Sequence, residues 1–120
     1  MAWEKAGIIR EGVALQGVLE WIGDFKTNGM PRLATGAVER QYNREWMEAI
    51  QIENLVIILE AIARSALLRE ESRGAHYRKD FKEMSTGWFR NIIVRNDHGE
   101  MIVLTRPIVT TRWKPENRLP

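Results

Sequence analysis

A chain of 120 residues has room for one domain with a real core and not for two. Its 44% hydrophobic and 28% charged residues exclude the disordered and fibrous classes, and a net charge of +2, from 18 basic and 16 acidic residues, is too small to make nucleic acid the default partner. The absence of cysteine excludes disulfides, thiolate-held iron–sulfur clusters and thiol chemistry.

From the amino end, residues 3–8 read as a short turn of helix, followed by a longer helix over about 11–26. There Leu15, Val18, Leu19, Ile22 and Phe25 repeat at the spacing of one helical face. Thr27-Asn28-Gly29-Met30-Pro31 is a breaker cluster, because Gly and Asn tolerate left-handed backbone and Pro disfavours helix in the residue before it. From about Ala37 the pattern is helical again, through Trp46, Met47, Ile50, Ile62, Ala66 and Leu67, with a break expected near Tyr42-Asn43 or none. The run Leu55-Val56-Ile57-Ile58-Leu59 is apolar on every side, which suits a central helix covered all round by neighbours. Gly74 stands where a left-handed C-terminal cap belongs, so the helix is expected to stop at Ser72 or Arg73.

Beyond Gly87 the period changes to that of strands. Ile92-Ile93-Val94 and Met101-Ile102-Val103-Leu104 flank the turn-forming Asn96-Asp97-His98-Gly99, which predicts a β-hairpin ended by Pro107. The expected fold is therefore mainly α: an up-and-down, spectrin-repeat-like three-helix bundle over 1–74, a connecting loop over 75–90, and a β-hairpin and tail over 91–120, together one domain. The basic excess lies near the end, where Arg106, Arg112, Lys114 and Arg118 face only Glu116, and is expected to form a solvated tail. The longest apolar run is far short of the roughly 20 residues that span a bilayer, and Glu4 and Lys5 interrupt the start, so a cytoplasmic protein without a transmembrane segment is expected.

The segment Ala61-Ile62-Ala63-Arg64-Ser65-Ala66-Leu67-Leu68-Arg69-Glu70-Glu71-Ser72-Arg73-Gly74-Ala75-His76-Tyr77-Arg78-Lys79-Asp80-Phe81 resembles the C-terminal helical domain of the succinate dehydrogenase/fumarate reductase flavoproteins, a family that includes L-aspartate oxidase and adenylylsulfate reductase. Trp3-Glu4-Lys5-Ala6-Gly7-Ile8-Ile9-Arg10, Asn54, Glu60-Ala61-Ile62, Trp88 and Arg106-Pro107 extend the likeness along nearly the whole chain. Two departures stand out: Lys82 follows Phe81 where the family commonly has Pro, and Glu83-Met84-Ser85-Thr86-Gly87 replaces its acidic stretch.

The resemblance implies a parent enzyme that moves hydride between FAD and a dicarboxylate, with its flavin-binding, substrate-binding and proton-delivering residues in earlier domains. No cofactor site is expected in this chain, since no Gly-x-Gly-x-x-Gly follows a strand to hold a pyrophosphate. Its implied partners are the flavin-binding domain and an iron–sulfur subunit; a bundle deprived of its partner domain is also expected to be able to dimerise to cover apolar surface.

His76, Arg73, Arg78 and Asp80 are the residue types of a proton relay or an anion site. A small bundle with a hairpin offers little concavity, so no catalytic residue is expected. Arg73, Gly74, His76, Arg78, Asp80 and Trp88 are read instead as structural and interface residues that fix the helix-to-loop junction. His76 and His98 lack the companions of a metal site. Glu60 and Arg64, at i and i+4, are expected to pair on the central helix. Trp21 and Trp46 are read as core, and Trp3, Trp88 and Trp113 as evenly divided between core and interface. The rival expectations are an autonomous protein- or nucleic-acid-binding domain working through the basic end, and, last, a small hydrolase or isomerase built on His76 and Asp80.

Overall fold

The computed structural model describes residues 2–36 and 41–111. The expected helix start at Ala37, Trp113 and the basic end at Arg112, Lys114 and Arg118 lie outside the described residues, as does the side chain of Trp3. The elements in order are α1 (Ala2–Ala6), β1 (Ile9–Arg10), α2 (Gly12–Asp24), a π turn (Phe25–Gly29), a 3-10 turn (Met30–Arg32), α3 (Arg44–Leu68), β2 (Tyr77–Arg78), a 3-10 turn (Thr86–Trp88), β3 (Arg90–Asp97) and β4 (Glu100–Pro107).

The apolar face read for 11–26 is the one α2 buries. Leu15, Val18 and Ile22 are almost wholly covered, at 0%, 2% and 2% exposure, and they meet Val56, Ala63 and Ala66 of α3. Fully burying each such aliphatic side chain stabilises the fold by about 1.5–3 kcal/mol, so this seam is the main cohesive element. Leu15 shares a cluster with Ala66, and Lys26 pairs with Glu60, so the two helices run antiparallel. Ala63 and Ala66 are small, which lets α2 approach closely.

The breaker cluster does not end the helix abruptly. The chain first widens into the π turn, where Thr27 Oγ1 donates to the Gly23 carbonyl at 3.0 Å and Asn28 Nδ2 donates to Asp24 Oδ1 at 2.7 Å. It then tightens into the 3-10 turn that Met30 begins, with Pro31 second, and becomes extended at Leu33. Asn43 caps α3 by accepting from the Trp46 amide at 3.0 Å, so the Tyr42-Asn43 break is a helix start rather than a kink.

Three expectations are corrected. First, α1 has only 5 residues beside 13 in α2 and 25 in α3, so among the described residues the helical part is a two-helix hairpin with a short flanking helix, not three comparable helices. Second, α3 is not covered all round: Val56 is buried, but Leu55, Ile57 and Ile58 are 61%, 46% and 54% exposed, because α2 supplies only one wall. Third, α3 ends at Leu68, not at Ser72 or Arg73. Gly74 does adopt the left-handed conformation, at φ 57°, but inside the tight turn that pairs Arg73 with His76. Trp46 is likewise exposed, and Trp21 stacks on Phe25 at 5.1 Å with 39% of its surface open.

The hairpin forms in the expected place. β3 and β4 pair antiparallel from Arg90 with Pro107 to Asp97 with Glu100, joined through His98 and Gly99. Both turn residues have positive φ, 50° and 94°, as a two-residue turn matching strand twist requires, and Asn96 Oδ1 accepts from the Gly99 amide at 2.8 Å. The hairpin stands beside α3 across an open cleft. The radius of gyration is accordingly 18.4 Å, against about 14 Å for a compact chain of this length.

Candidate functional site

The expected junction residues gather where the C-terminus of α3, the N-terminus of α2 and the two short strands meet. β1 and β2 pair in parallel, Ile9 with Tyr77 and Arg10 with Arg78, held by Tyr77 N–H to the Ile8 carbonyl (3.2 Å) and Lys79 N–H to the Arg10 carbonyl (2.8 Å). This pairing brings Arg78, 2% exposed, under the end of α3. Its Nη1 donates to the carbonyls of Ala66, Leu67 and Arg69 at 2.7, 3.1 and 3.2 Å, groups that a helix end leaves without partners. A cation there also opposes the negative end of the helix dipole.

The other side of Arg78 holds Asp80 with two parallel bonds, Nε to Oδ1 at 2.8 Å and Nη2 to Oδ2 at 2.7 Å. Asp80 Oδ2 in turn accepts from the Gly12 amide, the first of α2, at 3.1 Å. One ion pair thus clamps the end of α3 to the start of α2. The Arg78 hydrogen bonds hold the Asp80 carboxyl at about 2, well below its ordinary 3.8, with the Gly12 amide adding to the effect. Glycine at position 12 leaves room for this clamp: a Cβ there would lie 2.9 Å from Asp80 Oδ2 and 3.3 Å from Arg78 Nη2, so the ion pair would have to shift.

A second cluster centres on Glu71, which is wholly buried. It accepts from Arg69 Nη1 at 2.5 Å, from Arg73 Nε and Nη2 at 2.9 and 3.1 Å, and from the Ser85 amide at 3.0 Å. Burial alone would raise this carboxyl; the Arg73, Ser85 and Arg69 hydrogen bonds outweigh it and hold the group below the ordinary glutamate range. Arg69 also donates to the Arg90 carbonyl at 2.8 Å and lies over the Trp88 ring at 5.5 Å, so the same residue ties the junction to the hairpin. Ser72 Oγ donates to the Phe81 carbonyl at 2.7 Å and accepts from the Arg78 amide at 2.8 Å.

His76 sits between two neighbours and is committed to both. Its Nε2 donates to the Arg69 carbonyl at 3.2 Å, and its Nδ1 accepts from Arg10 Nη1 at 2.6 Å, which assigns the neutral tautomer. Burial, then the charges of Arg10, Arg78 and Arg69, lower its pKa, while the Arg69 carbonyl opposes them. With both nitrogens engaged, and Asp80 held by Arg78, the two residues do not face each other as an acid and a base.

The structure therefore brings Arg73, His76, Arg78 and Asp80 into one junction, with Trp88 at its edge and Gly74 in its tight turn. The sequence assigns no site role to Gly12, Arg10, Arg69, Glu71 or Ser72, although all but Gly12 stand in the stretches that carry the family resemblance. The alternation Arg69, Glu71, Arg73 carried a signal, since extended backbone puts those three on one side, but a helix to residue 73 concealed it. On α3, Glu60 pairs with Arg64 at 2.6 Å as expected, and also with Lys26. Burial raises the Glu60 carboxyl, but Lys26 and Arg64 more than compensate. Among the described residues no group of three or more His, Asp or Glu could hold a metal ion, and no helix is long and apolar enough to cross a membrane.

Comparison with known proteins places this geometry in context. The chain is 33% identical over 119 residues to the fumarate reductase flavoprotein subunit of Mycobacterium tuberculosis, covering 95% of this chain and 20% of the relative. It is 32% identical over 95 residues to the succinate dehydrogenase flavoprotein subunit of Coxiella burnetii, covering 78% of this chain and 16% of the relative. Among solved structures, the Mycobacterium smegmatis Sdh1 complex in the apo form superposes with a TM-score of 0.78 at 29% identity, over 88% of this chain and 18% of that one. The chain thus spans less than a quarter of the length of each of these proteins. Residues 1–119 match the family model described as fumarate reductase flavoprotein C-term, and the chain belongs to that family of flavoprotein C-terminal domains.

Proposed function

We propose that the chain is a structural and docking module of an FAD-dependent oxidoreductase of the succinate/fumarate type, acting as one unit and carrying no flavin or substrate site of its own. The observation that carries this reading is the uncovered apolar flank of α3. Leu55, Ile57, Ile58 and Ile62 are all more than 40% exposed on a helix whose opposite side forms the core. An apolar stripe of this kind on a helix tied down by a buried ion-pair clamp is suited to a partner surface rather than to water. Its natural cover is the flavin-bearing part of the parent, with an iron–sulfur subunit on the neighbouring surface and the assembly on the cytoplasmic side.

The absence of a flavin site is supported by the local chemistry. β1 does run into α2 in the manner of a dinucleotide-binding turn, but the leading amide of α2, at Gly12, is already taken by the Asp80 carboxylate. A pyrophosphate there would meet a negative charge in place of free N–H groups. The chemistry of the parent therefore belongs to its other parts, and this chain contributes position and surface.

The reading is tested by adding the chain to a fumarate-reducing flavoprotein that lacks its own C-terminal helical segment, and measuring binding, retained flavin and fumarate reduction together. Stoichiometric binding with recovered turnover is expected. Fumarate reduction or succinate oxidation by the chain alone would show that it carries a site of its own and would defeat the proposal.

A further inference from the structure

We infer that Arg10, which lines the cleft between α3 and the hairpin, is the anchor for a carboxylate on an otherwise aliphatic segment of the flavin-bearing part, which lies along that cleft. The inference rests on the docking reading above and names the chemistry of the contact.

Four other arginines around the junction each reach a carboxylate of the chain. Arg64 has Glu60, Arg69 and Arg73 share Glu71, and Arg78 has Asp80. Arg10 is half-buried in the same cluster, yet its hydrogen bonds go to neutral acceptors, the Ala6 carbonyl at 3.4 Å and His76 Nδ1 at 2.6 Å. Taking a guanidinium partly out of water is unfavourable unless an anion meets it, and burial lowers its pKa accordingly. His76 fixes the guanidinium in place, because its other nitrogen is tied to the Arg69 carbonyl. The donors of Arg10 not used by His76 and Ala6 remain available to a carboxylate.

The surroundings define the rest of the ligand. Arg10, Arg69 and His76 border a cleft of about 480 Å³ whose walls are Ile58 and Ile62 of α3 and Ile92 and Val94 of the hairpin. Ile58, Ile62 and Val94 are 54%, 42% and 40% exposed, so the walls are open to an occupant. Aliphatic walls ending in a fixed cation suit an apolar chain carrying one acidic group. The matched stretches are only 16–20% of the relatives' length, so most of each relative lies outside them and the occupant is sought there.

The test uses the assembled flavoprotein, with this domain joined or bound to its flavin-bearing part. In an Arg10→Lys variant, zero-length carbodiimide coupling followed by peptide mapping is expected to join the introduced amine to an Asp or Glu outside residues 1–120. In Arg10→Met, attachment of the domain is expected to weaken at least about thirty-fold, the low end for removing one partner of a buried charged pair. Arg10→Lys is expected to keep most of it.

If other lysines couple across the contact but the amine at position 10 couples only within the chain, or if Arg10→Met attaches as tightly as the parent, the carboxylate anchor is wrong and docking stands. If no lysine of the chain couples outside it and the domain does not associate, both fall.

Discussion

Replacing Arg78 with Leu removes the group that ties the end of α3 to the start of α2. Three carbonyls at the end of α3 lose the donor that reaches them at 2.7–3.2 Å, and Asp80 loses both of its charged hydrogen bonds. Breaking a buried ion pair from one side costs about 3–5 kcal/mol, and leaving buried acceptors unsatisfied costs about 1–3 kcal/mol. The Asp80 side chain is 33% exposed and regains water, which argues for the lower end, about 3 kcal/mol. In urea, where a small protein loses about 1–3 kcal/mol of stability per molar, the midpoint should fall by about 1–3 M. The assay is equilibrium unfolding followed by far-ultraviolet circular dichroism and tryptophan fluorescence. Arg78→Leu combined with Asp80→Leu should be less destabilising than the sum of the two by at least about 1 kcal/mol. A loss below about 1 kcal/mol in Arg78→Leu, with no coupling to Asp80, would refute the clamp.

Gly12→Ala should cost about 1–3 kcal/mol, because the added methyl would press on Asp80 Oδ2 and Arg78 Nη2; chemical denaturation measures it, and a neutral result would mean that α2 can shift freely at its start. Gly74→Ala should cost about 1–2 kcal/mol for its left-handed backbone alone, since no atom crowds the position, and an unchanged midpoint would contradict the φ of 57°. Stability should also fall in acid. Asp80, Glu60 and Glu71 have folded-state pKa values below their ordinary ones, so their contribution is present above those ordinary values and is lost as the pH drops through the folded ones, for Asp80 from about 4 towards about 2. After discounting for its exposure, Asp80 should account for roughly 1–2 kcal/mol of that loss, and Asp80→Asn should flatten the curve between about pH 5 and 2. Finally, Leu55→Ser with Ile57→Ser should leave the folding midpoint within about 0.5 kcal/mol while reducing any self-association seen by sedimentation; a large loss of stability would mean that the flank belongs to the core.

Much of this fold is legible in local pattern. Leu15, Val18 and Ile22 announce the buried face of α2, and Asn96-Asp97-His98-Gly99 between two β-branched runs announces the hairpin. In both cases the information lies within a few residues. The apolar run at 55–59 announces a helix that wants cover on all sides. What no local pattern can show is that α2 covers only one of them, so that Leu55, Ile57 and Ile58 stand open.

The junction is legible as a set of residues but not as a geometry. The strand pair that creates it joins Ile9-Arg10 to Tyr77-Arg78, two residues on each side and far apart in sequence, too short to leave a periodic trace. The end of α3 is misplaced for the same reason. Gly74 looks like the cap, whereas the capping is done by the Arg78 side chain from a distant loop, and the helix stops at Leu68. The Arg69, Glu71, Arg73 alternation is hidden by the same misplaced helix end, because the three polar partners of Glu71 converge only after the chain has left the helix.

The central claim is that the open flank of α3 docks on a flavin-bearing partner, and the most direct measurement of it is a titration of the whole chain into a fumarate-reducing flavoprotein that lacks its own C-terminal helical segment. Saturable one-to-one binding, lost when Leu55, Ile57 and Ile62 are replaced by Ser, and accompanied by retained flavin and recovered fumarate reduction, is the predicted result. A well-folded chain that fails to bind that flavoprotein at any concentration, or that binds equally with the flank made polar, would contradict it.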